Sequence, residues 1–260
     1  MEEYIFKYNT FNKYLIYYFT KGMGGIGDYL KFFTYLIDFC IKNNIKLFLY
    51  IDHPLDKYIR LKYDIMYINL NYIHNYENIN NNCELSNLID NKYYIIKPFA
   101  LYSIDNIVHN ICNNWILKNI FIFSDEIIIN SITNNYISIH LRLGDKYLET
   151  DKNFVICKED TREYNENKLY DFIENHKHKI IYFFCDNKNF KNKIKNKYSY
   201  INILNNDIGH TSLLNTSDEQ IKNSIIEFYL LSQSQEIYMA SRSGFSLLAS
   251  RFNDILYNYI

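Results

Sequence analysis

The stretch Tyr136–Glu149, "YISIHLRLGDKYLE", opens as a strand with almost no polar face. Tyr136, Ile137, Ile139 and Leu141 leave only Ser138 and His140 as polar interruptions before Arg142. A run this apolar, closed by Gly144-Asp145, fits a parallel strand covered on both sides. It ends by presenting His140, Arg142, Gly144 and Asp145. His140 and Arg142 stand two apart, so on a strand they share a face. Charged groups at the C-terminal end of a parallel strand sit where open α/β sheets bind ligands. The planar fork of Arg suits a diphosphate. Gly144 permits a tight turn, and Asp145 can fix the loop or orient Arg142. The plainer alternative is a structural Arg142–Asp145 ion pair.

Working outward, similar runs alternate with helical patterns. Strands are predicted at Tyr14–Phe19, Lys46–Asp52, Ile65–Leu70, Tyr93–Pro98, Tyr136–Arg142, Lys179–Cys185, Tyr200–Leu204 and Gln235–Ala240. Helices are predicted at Asp28–Asn44, Ile104–Asn119, Glu166–His176, Asn187–Asn196, Asp218–Ser232 and Phe245–Tyr257. This alternation argues for an α/β architecture. Asn71–Asn87 reads as a polar loop, and Phe121–Asn135 as a connector between two halves, 1–130 and 131–260.

The chain has 260 residues, 48 % hydrophobic and 22 % charged, enough for one large α/β domain or two small ones. Its Asn, Ile, Lys, Tyr and Phe bias is that of coding sequence pushed toward A and T, so surface Asn and Lys runs carry little meaning. A net charge of −1 supplies no basic field for nucleic acid. Cys40, Cys83, Cys112, Cys157 and Cys185 show no CxxC spacing, which implies reduced thiols, a cytoplasmic setting and no zinc site. No apolar run is long enough for a membrane span.

Two further turns carry chemistry. Gly22, Gly24 and Gly27 match G-x-G-x-x-G between a strand and a helix, an arrangement that points backbone N–H groups at an anion. Asp52 ends the next strand, where a NAD site keeps its ribose-binding acid. Asp28 is a candidate N-cap and would set negative charge beside any pyrophosphate. A NAD- or S-adenosylmethionine-dependent enzyme therefore stays open. Near the C-terminus, Ser241-Arg242-Ser243-Gly244-Phe245-Ser246 joins a strand to a helix and gathers hydroxyls and unpaired N–H groups into a second anion cradle. Plain N-capping by Ser243 is the bland alternative.

Taken in order, these three segments resemble the fucosyltransferase superfamily, which contains alpha-1,2-, alpha-1,6- and protein O-fucosyltransferases. The family's "GGxGNQ" stands here as Gly24-Gly25-Ile26-Gly27-Asp28-Tyr29. Its H-x-R-R-x-D stands as His140-Leu141-Arg142-Leu143-Gly144-Asp145, with Leu143 in place of the second Arg. "IIYFFCDN" matches a family strand that places Asp186, and Arg242–Ala249 matches its terminal serine-rich segment. The resemblance implies a GT-B fold of two Rossmann-like halves facing each other across a cleft. It implies an inverting transfer of fucose from GDP-fucose to a glycan or protein hydroxyl, with no cofactor and no metal.

Carried over residue by residue, Arg142 contacts the β-phosphate, and Ser243, Gly244, Phe245 and Ser246 line the diphosphate. His140 and Asp186, with Asp218 as a further candidate, lie near the nucleoside. Gly25 and Gly27 let backbone approach the sugar or phosphate from the 1–130 half. Glu149 is the candidate base. A non-catalytic nucleotide- or glycan-binding module is the remaining alternative.

Overall fold

Strand β1, Tyr14–Thr20, starts a four-stranded sheet in order β2-β1-β5-β4, with β2 at Lys46–Asp52, β4 at Tyr76–Ile79 and β5 at Tyr93–Ile96. The computed structural model describes residues 1–105, 114–147 and 159–260. Every pairing in this sheet is parallel. Two short strands, β3 at Ile59–Leu61 and β6 at Phe121–Phe123, pair with each other in a separate two-stranded sheet. Leu15, Tyr17 and Phe19 alternate onto one face and are fully buried, as are Leu47 and Leu49 beside them. The 18-residue helix Ile26–Asn43 carries a matching stripe of Leu30, Phe33, Leu36, Ile37 and Cys40. It stops at Asn44, which adopts the left-handed conformation (φ +53°) usual at a helix C-terminus.

The chain divides into two compact units, Met1–Ile122 and Phe123–Ile260. The second holds another four-stranded, all-parallel sheet, ordered β10-β9-β7-β8. Its strands are β7, Ile137–Leu141; β8, Ile181–Cys185; β9, Glu236–Met239; and β10, Leu256–Tyr259. All five β7 residues are buried, as its apolar reading requires. On one face Ile137, Ile139, Leu141, Ile181, Phe183 and Cys185 pack against Leu169 and Ile173 of helix Glu166–Asn175 and Ile194 of helix Lys188–Lys197. On the other, Phe228 of helix Asp218–Gln233 meets Phe245 and Phe252 of helix Gly244–Phe252, at ring distances of 5.3 and 6.2 Å.

Asn and Ser set the helix starts. Asn165 accepts from Lys168 N–H, and Asn187 from Phe190 N–H. Ser217 and Gln220 form a reciprocal capping box. Among the described residues no helix is long and apolar enough to cross a membrane.

The sheets agree with an α/β reading, and four element assignments change. Ile65–Leu70 is not a strand: 3-10 turns at Asp64–Met66 and Leu70–Tyr72 flank one bridge, Leu49 to Tyr67. Asn69 bends the chain there by accepting from Asn71 N–H at 3.0 Å. Tyr200–Leu204 contributes only the bridge Tyr182 to Asn202. The polar segment Asn71–Asn87 contains edge strand β4, whose exposed residues hide its pairing with β5. The last helix ends at Phe252, because Asp254 turns left-handed (φ +56°), and β10 follows. The middle of the expected helix Ile104–Asn119 lies outside the described residues; its end, Asn114–Ile120, is helical.

Candidate active site

In the second unit β7 leads to β8 on one side, while β9 pairs on its other side. The connection reverses between β7 and β9, and the C-terminal ends of strands at such a reversal frame the ligand crevice of open α/β sheets. The turn after β7 carries Arg142, Leu143 and Gly144; the turn after β9 carries Ser241 to Ser243.

Ser241 ties the two turns together. Its hydroxyl accepts the Arg142 N–H at 2.9 Å and donates to the Arg142 carbonyl at 2.7 Å. The last ladder bond, Ala240 N–H to the His140 carbonyl, lies just before it. A side chain thus extends the sheet by one residue and sets Arg142 beside the helix start at Gly244.

The Arg142 side chain leaves this anchor and meets Asp145: Nη2 lies 2.6 Å from Oδ1. Asp160 stands 3.7 Å from the same nitrogen. Both carboxylates are largely buried, so they fix the guanidinium more firmly than an exposed pair does. The ion pair posed as the plainer alternative is therefore present. It leaves most of the five guanidinium N–H donors for other partners.

Asp186, at the end of β8, accepts Leu143 N–H at 2.7 Å on one oxygen and Gly144 N–H at 3.1 Å on the other. Burial pushes its pKa up, opposed by Arg142 and these N–H groups. Its carboxylate shapes the Arg142 turn. Gly144 itself has φ +104°, and a Cβ there would come within 2.5 Å of the Asp160 carbonyl oxygen. Gly144→Ala is expected to cost about 2 kcal/mol through strain and displacement of this turn. Chemical denaturation checks it; an unchanged midpoint would mean that the turn is free to relax.

His140 is 6 % exposed and stacks on Phe245 with ring centroids 5.7 Å apart. Burial, then the Arg142 charge, holds its pKa down at about 3, so the ring is neutral at ordinary pH. Its Nδ1 is buried without a hydrogen-bond partner among the described residues. So is the hydroxyl of Ser243, the N-cap of helix Gly244–Phe252, which makes no capping bond to its own helix. Such orphans are rare in folded proteins and ask for an explanation. Ser246 is committed locally: its hydroxyl meets Tyr257 Oη at 3.0 Å.

Solved structures share this fold. A mutant of Arabidopsis thaliana FUT1 in complex with GDP matches with TM-score 0.59 and 9 % identity over 99 % of this chain and 74 % of that one. NodZ alpha-1,6-fucosyltransferase, soaked with GDP-fucose, matches with TM-score 0.58 and 12 % identity over 93 % and 92 %. The fold is fucosyltransferase-like. No protein-family model and no curated protein sequence matches the chain.

Within this fucosyltransferase-like fold the glycine turn of the first unit is built differently from a dinucleotide site. Gly25 is the N-cap of helix Ile26–Asn43 and Gly27 lies in its first turn. Asp28 is the third helical residue, not the cap, and its Oδ2 accepts Gly25 N–H at 3.0 Å. Lacking a side chain, Gly25 cannot return the other half of a capping box. Lys31, almost fully buried, pairs with Asp28 at 2.9 Å and also with Asp105. Gly24 has φ +122°, and a Cβ there would stand 2.6 Å from Asp28 Oδ2, so this glycine makes room for the carboxylate. The place a pyrophosphate takes at a helix N-terminus is filled by the chain's own anion, which argues against the NAD or S-adenosylmethionine reading.

Of the remaining expected site residues, Asp218 is an exposed first-turn residue of helix Asp218–Gln233, and Glu149 lies outside the described residues. Sequence reasoning counted Ser241 among the hydroxyls of the C-terminal anion cradle; its hydroxyl is instead spent on the Arg142 backbone. Sequence reasoning missed Asp160 and Arg162 altogether, since only the fold brings them to Arg142.

Proposed function

We propose that the chain is an inverting glycosyltransferase that moves fucose from GDP-fucose to a hydroxyl of a glycan or protein. One observation carries this reading: a carboxylate-held Arg142 shares a sheet reversal with two buried polar atoms, His140 Nδ1 and Ser243 Oγ, that have no partner among the described residues. The GDP bound in the one solved structure and the GDP-fucose soaked into the other support the nucleotide.

In this proposal Arg142 turns its spare N–H donors to the β-phosphate. Ser243 supplies a hydroxyl, and Gly244, Phe245 and Ser246 supply the free N–H groups of the helix start. As GDP departs, negative charge grows on the diphosphate and the sugar becomes oxocarbenium-like. Fixed donors stabilise that charge without reorganising, which is how a transferase can act without a metal. Neutral His140 offers Nδ1 to the nucleoside, and Asp186 keeps the turn in shape. Glu149 is the base proposed on the family resemblance.

A melting panel tests the nucleotide. A ligand at a hundred times its Kd stabilises a protein by about 2.7 kcal/mol, several degrees in Tm. GDP and GDP-fucose are expected to produce this shift without divalent ion, and UDP and NAD to produce less. Equal shifts with all four, or no shift without Mg²⁺, would contradict the reading.

A further inference from the structure

Asp160 does more than back up Asp145. Its Oδ1 lies 3.1 Å from Arg162 Nε, and its Oδ2 lies 3.4 Å from Arg162 Nη2. The same Oδ2 is 3.7 Å from Arg142 Nη2 and accepts Asp145 N–H at 3.2 Å. One carboxylate therefore bridges two guanidinium groups, whose ends lie within reach of a single diphosphate. The backbone fixes the same relation: Arg162 N–H donates to the Leu143 carbonyl at 2.9 Å, and Lys146 N–H to the Asp160 carbonyl at 3.1 Å. Residues 160–162 thus lie flat against the Arg142 turn, at the contact that leaves Gly144 no space for a side chain.

Charge gives this arrangement a purpose. Asp145, Asp160 and Asp186 gather three carboxyl groups at the turn, and Arg142 alone does not balance them. A diphosphate brings further negative charge. Arg162 is the second cation held at the turn, and its side chain is 41 % exposed, so it can reach a ligand while Asp160 keeps its orientation.

We propose that Arg162 is a second diphosphate-binding residue, positioned by Asp160 beside Arg142. This inference rests on the nucleotide reading given above. Arg142 and Arg162 together form a two-guanidinium clamp on the phosphate distal to the nucleoside.

The test compares GDP with GMP, which lacks that phosphate, by titration calorimetry on Arg162→Gln. Glutamine keeps a hydrogen bond to Asp160 and removes the charge. The expected result is a GDP Kd raised about tenfold, the loss of one charge-assisted contact, with GMP affinity and the apo melt unchanged. Arg162→Lys should fall between wild type and Arg162→Gln, because a point charge lacks the fork. Wild-type GDP affinity in Arg162→Gln, or equal losses for GDP and GMP, would overturn the proposal. Arg142→Ala separates this from the parent reading. If Arg142→Ala loses GDP and Arg162→Gln does not, only the second cation falls. If neither loses GDP, the nucleotide site itself falls.

Discussion

Arg142→Ala is expected to weaken GDP binding ten- to a hundredfold or so, the loss of charge-assisted hydrogen bonds worth about 1.5–3 kcal/mol each. Turnover should fall further than affinity, because the guanidinium also meets charge that appears only as GDP leaves. Arg142→Lys should rescue little, since an ammonium cannot reproduce the fork. The structure adds a complication. Asp145 is nearly buried and lies 2.6 Å from Arg142, so the alanine variant also strands part of a carboxylate's environment and should lower the apo melt. Arg142→Ala combined with Asp145→Asn resolves this. Neutralising Asp145 should return the melt toward wild type while GDP affinity stays low. If GDP affinity returns together with the melt, Arg142 is a structural residue and has no phosphate contact.

The second large effect lies away from the turn. Lys191 and Glu227 form an ion pair 3.0 Å long, with side chains only 1 % and 3 % exposed. Lys191 also donates to the Asn206 carbonyl at 3.3 Å. With its amide nitrogen turned inward, Asn206 donates to Glu227 at 3.2 Å. Burial pushes the Glu227 pKa up to about 6, against the pull of Lys191. Lys191→Met removes that pull and leaves a buried carboxyl without its cation, a change that typically costs about 3–5 kcal/mol. The loss must depend on pH. A carboxyl whose folded pKa is raised contributes stability that is fully present below its unfolded value, near 4.5, and is lost as pH rises through the folded pKa. In Lys191→Met the folded pKa rises further, so that loss extends to higher pH. The variant should therefore be most destabilised at neutral to mildly alkaline pH and should recover part of the deficit toward pH 5. Melts across that range check it; a deficit independent of pH would mean that Glu227 does not titrate in the variant.

Much of this was readable from residues whose physics is local. β2 lies where its apolar run placed it, and β7 differs from its expected span by one residue at each end. Helix starts at Glu166, Lys188 and Asp218 follow Asn165, Asn187 and Ser217, whose side chains cap them. Turns and edges were less legible. β4 and β10 are short and partly exposed, so neither alternation nor an apolar run marks them, and only pairing with β5 and β9 makes them strands. At the site, His140, Arg142 and Asp145 were visible because one strand end displays them together. The anchoring of Arg142 by Ser241, and Asp160 itself, were not, because both depend on which turns the fold sets side by side. Asp28 was legible as a helix-start acid but not as the carboxylate that Gly25 binds, since the sequence does not say which residue begins the helix.

A structure of the chain crystallised with GDP decides whether Arg142 holds the diphosphate. In that structure the β-phosphate is expected within hydrogen-bond distance of the Arg142 guanidinium and of donors from Ser243 to Ser246, with Asp145 still paired to Arg142. A diphosphate seated instead on the Gly22–Gly27 turn, or away from Arg142 altogether, would contradict this placement.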